Sequence, residues 1–439
     1  MSAGLLAEVD AALGRAGAQP VSCAFRVPGR IEILGKHTDY AGGRSLVCAV
    51  EQGFVVAAAP RRDRNVRVLS VADGRETILA LDPGLRPPAD AWARYPATVV
   101  RRLARNFPQA ERGADIALLS DLPSASGMSS SSAFMVAVFL PVAHLNGLEA
   151  SDTYNREIRS AEDLAGYLAT IENGQSFGTL TGDRGVGTFG GSEDHTAMVC
   201  CRAGELSQYS FCPVRHERQI PLPAGHRFVV AVSGVRAEKT GAAKDAYNRT
   251  SLAVRAILDA WRIASGRKDR SLAEAVDLGG VEQVRDVLVR GSIDGFTTEV
   301  LVDRFDQFVE ESTRLVPAAG DALEHTELAR FGVLVDRSQD LAERLLRNQV
   351  VETIALARSA REMGAIAASA FGAGFGGSVW ALVPDDTAGD FSRRWEAAYR
   401  RAFPGPGARS SFLSTRPGTG VTRLDPRVDR RATTAAHLG

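Results

Sequence analysis

Between Leu122 and Leu140 the chain passes without a break from small residues into an apolar run. The first part reads Leu122-Pro123-Ser124-Ala125-Ser126-Gly127-Met128-Ser129-Ser130-Ser131-Ser132-Ala133, the second Phe134-Met135-Val136-Ala137-Val138-Phe139-Leu140. A flexible serine linker is the plain alternative, but linkers do not run straight into an apolar helix, here expected from about 130 to 146. Small residues let a backbone approach a ligand closely, and the first turn of a helix presents unpaired N–H groups carrying partial positive charge. Loop and helix together form an anion cradle, and phosphate is the anion expected.

The rest of the chain supplies a core for such a helix. Its 439 residues correspond to two or three domains at roughly 150 residues each. An apolar share of 45% and a charged share of 24% are ordinary for a globular protein. Fifty-two basic and 52 acidic residues cancel, which argues against a nucleic-acid or anionic-membrane partner, since both select a basic excess. The longest apolar run, Ala133 to Ala143, falls short of the roughly 20 residues of a membrane span. The first residues lack the basic and apolar segments of a signal peptide. Five cysteines without CxxC spacing read as reduced thiols, so a cytoplasmic protein is expected.

Helical spacing is found over 4–16, where Leu5, Val9, Ala12 and Leu13 share a face, and over 92–107. Single helices are expected over 154–172, 240–263, 271–290 and 350–365. Strands are expected over 22–34, 45–59, 65–70, 116–119, 226–233 and 378–383. In the first, Phe25, Val27, Ile31 and Ile33 share one parity and Arg26, Arg30 and Glu32 the other, with a bulge at Pro28-Gly29. Gly174 to Gly191 is a glycine-rich loop longer than the roughly 12–15 residues of most connections, a length that goes with function or disorder. The Pro-rich stretch 213–223 is the expected domain boundary. Strands and helices do not alternate strictly, which favours an α+β fold.

Two further clusters resemble nucleotide motifs only superficially. Gly35-Lys36 is preceded by five residues back to Gly29 and followed by His37, where a P-loop needs four and then Ser or Thr. Taken alone, this charged turn is more often a solvated loop. Gly372-Ala373-Gly374-Phe375-Gly376-Gly377 has GxGxxG spacing, but a helix precedes it and a strand follows, the reverse of a dinucleotide fingerprint.

Together the three clusters resemble the three motifs of the GHMP small-molecule kinases. Pro28-Gly29-Arg30 through Gly35-x-His37-Thr38-Asp39-Tyr40-x-x-Gly43 is similar to the galactokinase signature, and Trp92-Ala93-x-Tyr95 and Ser233-Gly234-Val235-Arg236 with Tyr247 resemble galactokinase segments. The resemblance covers about 22–424. It implies an α+β fold of two domains: an N-terminal one (1–218) like the second domain of ribosomal protein S5, and a ferredoxin-like C-terminal one (219–424). Residues 425–439 are then a frayed tail. It also implies ATP, Mg²⁺ and a small sugar as ligands, in a monomer or homodimer.

Carried onto these positions, the resemblance makes Asp194 the general base and Arg30 the cation opposite it. Ser130 and Glu172 would hold magnesium. Asp39, Lys36, His37, Gly191 and Tyr247 would line the sugar pocket. ATP would lie against Trp92, Ser124, Ser126, Gly127, Ser129, Ser130, Ser131, Ser132, Gly374 and Gly376. The alternative for Asp194 is an Asx-turn residue of a glycine-rich loop. Three departures stand out. Lys36 occupies the place of a sugar-contacting Glu, His195 that of a Gln, and the segment before Asp194 is about ten residues longer than the family pattern. If Lys36 faces the sugar, an anionic group such as a uronate carboxylate is a natural partner; otherwise it donates to a neutral hydroxyl or points to solvent. The expected activity is therefore transfer of the ATP γ-phosphoryl group to a sugar, most simply the C1 hydroxyl of galactose. The alternatives are a uronic-acid or other non-galactose kinase, and a non-catalytic sugar sensor.

Overall fold

The computed structural model describes residues 2–123, 126–235 and 241–426. Ser124, Arg236 and residues 427–439, for which sequence expectations were stated, lie outside them. Helix α1 (Ser2–Arg15) precedes β1 (Cys23–Leu34), β2 (Arg44–Pro60), β3 (Asn65–Ser70) and β4 (Glu76–Ala80). Helix α2 (Ala91–Asn106), β5 (Ala114–Ser120) and α3 (Ser130–Leu145) follow, then α4 (Asp152–Glu157), α5 (Ala161–Asn173) and α6 (Glu193–Cys200). Strands β6 (Glu205–Ser210), β7 (Arg215–Pro221) and β8 (His226–Val232) lead to a helical region. It comprises α7 (Gly241–Ser265), α8 (Leu272–Gly279), α9 (Val281–Arg290), α10 (Thr298–Glu310), α11 (Val316–Glu324), α12 (Leu328–Leu341) and α13 (Val351–Glu362). The chain ends with β9 (Ala367–Phe371), β10 (Ser378–Pro384), α14 (Ala388–Ala402), β11 (Ser411–Thr415) and β12 (Thr422–Leu424).

These strands form two sheets, one of eight strands along β12-β1-β2-β5-β3-β4 with β6 and β7 branching from β2, the other β11-β8-β10-β9. Only β3 and β5 pair in parallel among the described pairs. All twelve residues of β1 are buried because both of its faces are covered, by α1 on one side and by α3 and the site on the other. The charged parity of β1 is thus not solvated: Arg26 pairs with Asp121 at 3.0 Å, and Arg30 and Glu32 face the cavity described below. The expected irregularity at Pro28-Gly29 is present as a register shift between Pro28 and Arg30.

Helix α3 is apolar on all sides and buried along almost its whole length, as its sequence requires. The helix expected over 154–172 is instead two, because the chain leaves helical geometry at Ile158 and Ser160 recaps α5 through Asp163 N–H. The helix expected over 271–290 also divides, at Gly280 with φ +91°. Strand β7 straddles the expected boundary at 218/219 and belongs to the first sheet. Strand β12 returns to that sheet beside β1. The apolar core runs on between the sheets: Phe228, Phe331 and Trp380 belong to the same cluster as Val27, Ile31 and Phe134. No described helix is long and apolar enough to cross a membrane.

Candidate active site

The three Gly/Ser clusters, distant from one another along the chain, converge on one cavity of about 250 Å³. Gly127 at φ +68° and Ser129 at φ +57° turn the serine loop so that α3 begins at the cavity wall. Ser126, Gly127, Ser129, Ser130 and Ser131 line it. The Gly127 carbonyl accepts a 2.7 Å hydrogen bond from Arg30 Nη1, and a Cβ on Gly372 would stand 3.0 Å from the same oxygen. Ser378 donates to the Ser126 carbonyl. The loop is therefore held by β1 on one side and by the 372–378 turn on the other.

Arg30 is 3% exposed, and its Nε donates to Asp194 Oδ1 at 2.7 Å while Nη2 lies 2.6 Å from the same oxygen. Asp194 sits in the first turn of α6, whose N-terminal dipole favours a carboxylate. Burial works against the guanidinium charge, but the carboxyls of Asp194, Glu193 and Glu32 outweigh it and hold Arg30 above its ordinary range. Burial raises Glu193 well above the usual carboxylate range, with Glu32 and Asp39 adding to it, and Ser45 donates to it at 2.6 Å.

On the other side of Asp194, Asp39 accepts from the N–H of Glu193 (3.1 Å) and of Tyr40 (2.8 Å). Burial nevertheless raises its pKa. A Cβ on Gly191 would stand 2.3 Å from Asp39 Oδ2, so only glycine fits there. His37, at φ +59°, is held between Tyr40 Oη (2.8 Å) and the Ala373 carbonyl (3.1 Å). Its burial, together with the Arg304 charge, lowers its pKa to about 4. Tyr247 packs 5.4 Å from the His37 ring, and burial pushes its phenol well up. Asp39, His37, Gly191 and Tyr247 all line the cavity with Arg30 and Asp194.

Lys36 does not join them. Gly35 at φ +111° turns the chain, and the Lys36 ammonium points into the protein, donating to Ser338 Oγ (3.1 Å) and Ser369 Oγ (2.8 Å) at 1% exposure. The expectation that Lys36 meets the sugar, and with it the uronate partner, is corrected by this geometry. Ser338 passes the contact on to Glu311 Oε1 at 2.8 Å, and Glu311 also accepts from the N–H of Gly35 at 2.8 Å. Gln307 donates to the Lys36 carbonyl (3.2 Å) and Arg304 to the His37 carbonyl (2.5 Å). Arg304, Gln307 and Glu311 thus clamp the turn that carries His37 and Asp39, and the sequence reading missed all three. Their signal was there: polar residues at i, i+3 and i+7 beside Phe305 and Phe308 mark a polar row on a buried helix face.

The remaining candidates separate. Glu172 lines the cavity, accepts from Ser132 Oγ at 2.7 Å and lies 3.6 Å from His195 Nε2. Ser132 therefore faces Glu172 rather than the cavity. Gly374 lines the cavity; Gly376, at φ +128°, shapes the turn without lining it. Trp92 stacks on Phe134 at 5.3 Å and under Arg75, outside the cavity, while its neighbour Tyr95 lines it.

Three family models match the chain: a galactokinase galactose-binding signature over 14–60, the GHMP kinases N terminal domain over 94–182, and the GHMP kinases C terminal region over 321–401. The galactokinase of Chloroflexus aggregans is 31% identical over 404 residues, covering 90% of this chain and 92% of that one. The galactokinase of Roseiflexus sp. strain RS-1 is 30% identical over 413 residues, covering 91% and 92%. The crystal structure of Lactococcus lactis galactokinase complexed with galactose superposes with a TM-score of 0.77 at 22% identity, covering 95% of this chain and all of that one. A mevalonate kinase structure superposes less well, at 0.55 and 14% identity over 90% of this chain. With the site's geometry and relatives of 30% identity or more spanning nine-tenths of its length, the chain belongs to the galactokinase branch of the GHMP kinases.

Proposed function

We propose that this chain transfers the γ-phosphoryl group of ATP to the C1 hydroxyl of galactose, giving galactose 1-phosphate, ADP and a proton. The observation that carries the reading is the pairing of the buried Arg30 with Asp194, opening on a cavity walled by the serine loop on one side and by Asp39, His37 and Tyr247 on the other. In this reading Asp194 accepts the proton of the attacking hydroxyl, and Arg30 keeps the base ionised and meets the charge on the phosphoryl group in transit. Asp39 and His37 hold the sugar's hydroxyls. The N–H groups and hydroxyls around Ser126–Ser131 hold the phosphates.

The donor set also suits magnesium. The Ser130 hydroxyl and the Glu172 carboxylate are hard oxygen ligands on the same cavity, and this ion commonly takes one or two carboxylates with substrate phosphates completing its shell. Bound there, it would offset phosphate charge. We further propose that the chain divides after β7, near 222–225, into the two GHMP units, with β12 closing the first sheet. The free state of all five cysteines supports a reducing, cytoplasmic setting.

A uronate kinase loses its motive with Lys36 turned inward. A non-catalytic sensor is disfavoured because Arg30, Asp194, Ser130 and Glu172 all reach one cavity. The test is ADP release with galactose, galacturonate and pentoses, for the wild type and for Asp194→Asn. Galactose is expected to lead the panel. The amide keeps the shape but takes no proton, so turnover should fall by about 10²- to 10⁴-fold with ATP affinity retained. Activity within about tenfold of wild type would remove Asp194 as the base.

A further inference from the structure

The cavity wall carries one more ionisable group beside the Arg30–Asp194 pair. Glu32 lies two residues after Arg30 on a regular stretch of β1, where Arg30, Ile31 and Glu32 pair in step with Ala49, Cys48 and Val47. Arg30 and Glu32 therefore share one face of the strand. Glu32 is 3% exposed and lines the cavity, its backbone carbonyl is pinned by Trp380 Nε1 at 3.2 Å, and its Oε1 has no hydrogen-bond partner among the described residues. The groups that act on it come from every side: Arg30 on β1, Lys36 and Tyr40 from the following turn, Glu193 and Asp194 from α6, and Glu311 after α10.

We propose that Glu32 is a positioning residue that works in its neutral form, leaving Arg30 in place on Asp194, and that its ionisation turns the enzyme off. The proposal rests on the kinase reading above. The donors of Arg30 are already taken: Nε and Nη2 are engaged by Asp194 and Nη1 by the Gly127 carbonyl. An ionised Glu32 would be a desolvated carboxylate without a hydrogen bond of its own on Oε1, a costly state. It can escape by keeping a proton or by drawing Arg30 away from Asp194. Keeping the proton preserves the Arg30–Asp194 pair. A bound triphosphate adds negative charge and favours the proton further. Burial outweighs the Lys36 and Arg30 charges and lifts the Glu32 carboxyl to about 7, so the change falls within the working range of pH. His37, lowered to about 4, does not titrate there.

The experiment is the pH profile of kcat/KM for ATP at saturating galactose, for wild type and Glu32→Gln, with thermal unfolding of both. Gln has the shape of the neutral acid and cannot ionise. The wild type should lose activity on the alkaline side, roughly 30-fold by pH 8.5 for a group titrating near 7, with the limb displaced upward in kcat, which reports the loaded complex. Glu32→Gln should match wild type within about threefold at pH 6 and lack the alkaline limb. Three results would overturn the proposal: a loss beyond tenfold at pH 6 in a folded variant, an alkaline limb shared by both proteins, or a Glu32 carboxyl that titrates below about pH 5.5 in the ¹³C spectrum of the wild type. The spectroscopic titration needs neither a folded variant nor turnover. If wild type phosphorylates no sugar at any pH, the kinase reading fails, and the carboxyl titration still decides whether Glu32 holds its proton.

Discussion

Lys36 is where the structure most directly reverses the meaning of a residue, and replacing it gives a quantitative test. Its ammonium makes two hydrogen bonds, to Ser338 and Ser369, acts on the buried Glu32 carboxyl, and is linked to Glu311 through Ser338. Lys36→Met keeps the aliphatic stem and removes the charge. A hydrogen bond to a charged group contributes roughly 1.5–3 kcal/mol, and removing one partner of a buried charge network costs about 3–5 kcal/mol. We expect Lys36→Met to lose about 3–5 kcal/mol in urea unfolding, a substantial part of the roughly 5–15 kcal/mol of a typical fold. Lys36→Glu puts a third carboxyl beside Glu32 and Glu311 in place of a cation and should lose more, or fail to fold. If the side chain is structural, the galactose-to-galacturonate ratio of kcat/KM stays within about threefold in folded Lys36→Met, because a neutral residue pointing inward reads no substrate. Lys36 is not a structural residue if Lys36→Glu is as stable as wild type, or if Lys36→Met shifts that ratio beyond tenfold, about 1.4 kcal/mol, at unchanged stability.

Gly191→Ala places a methyl 2.3 Å from Asp39 Oδ2, whose carboxylate is fixed by two backbone N–H groups. The KM for galactose should rise about tenfold or more while that for ATP moves by less than threefold; an unchanged sugar KM would separate Asp39 from the substrate. His37 predicts an acid-side loss of stability. Its folded pKa of about 4 lies below the ordinary value of 6.5, so the unfolded chain takes the proton first as pH falls. That stability is complete above pH 6.5 and is lost as pH drops through 4, amounting to about 3 kcal/mol at most. Urea unfolding of wild type and His37→Gln from pH 7 to 4 checks it: the variant should show a shallower decline, and parallel slopes would show that another group titrates.

What could be read from sequence was what is decided within a few residues. The bulge at Pro28-Gly29, the helix that follows the serine run, and the strand after the glycine turn each follow from local sterics and burial, and each is present. Arg30 and Asp194 were placed by their motifs, and their side chains meet. Two helices were read as one wherever a local cap decides the break, at Ser160 and at Gly280. No helix is expected from sequence between Thr298 and Leu346, although the buried face of this run carries Phe305, Phe308 and Leu315.

Lys36 marks the physical limit of such reading. Its neighbours Gly35 and His37 have left-handed φ values, so strand alternation no longer says which way a side chain points. The partners that fix its direction, Ser338 and Ser369, lie 302 and 333 residues further on. Arg304, Gln307 and Glu311 act at similar range, each holding the turn by a backbone group, with Arg304 also reaching the Tyr40 hydroxyl at 3.4 Å. A motif identifies residues that touch a ligand; those that hold the motif bind peptide groups, and almost any sequence in the turn offers the same peptide groups. On the reading proposed above, the specificity of this pocket depends on two sets of residues with different signatures. One set is Asp39, His37 and Tyr247, recognisable by type and spacing. The other is the polar row on α10 and the turn after it, recognisable only as charge on a face that should be apolar. A substitution in the second set should change sugar affinity through the placement of His37 and Asp39, without touching the sugar.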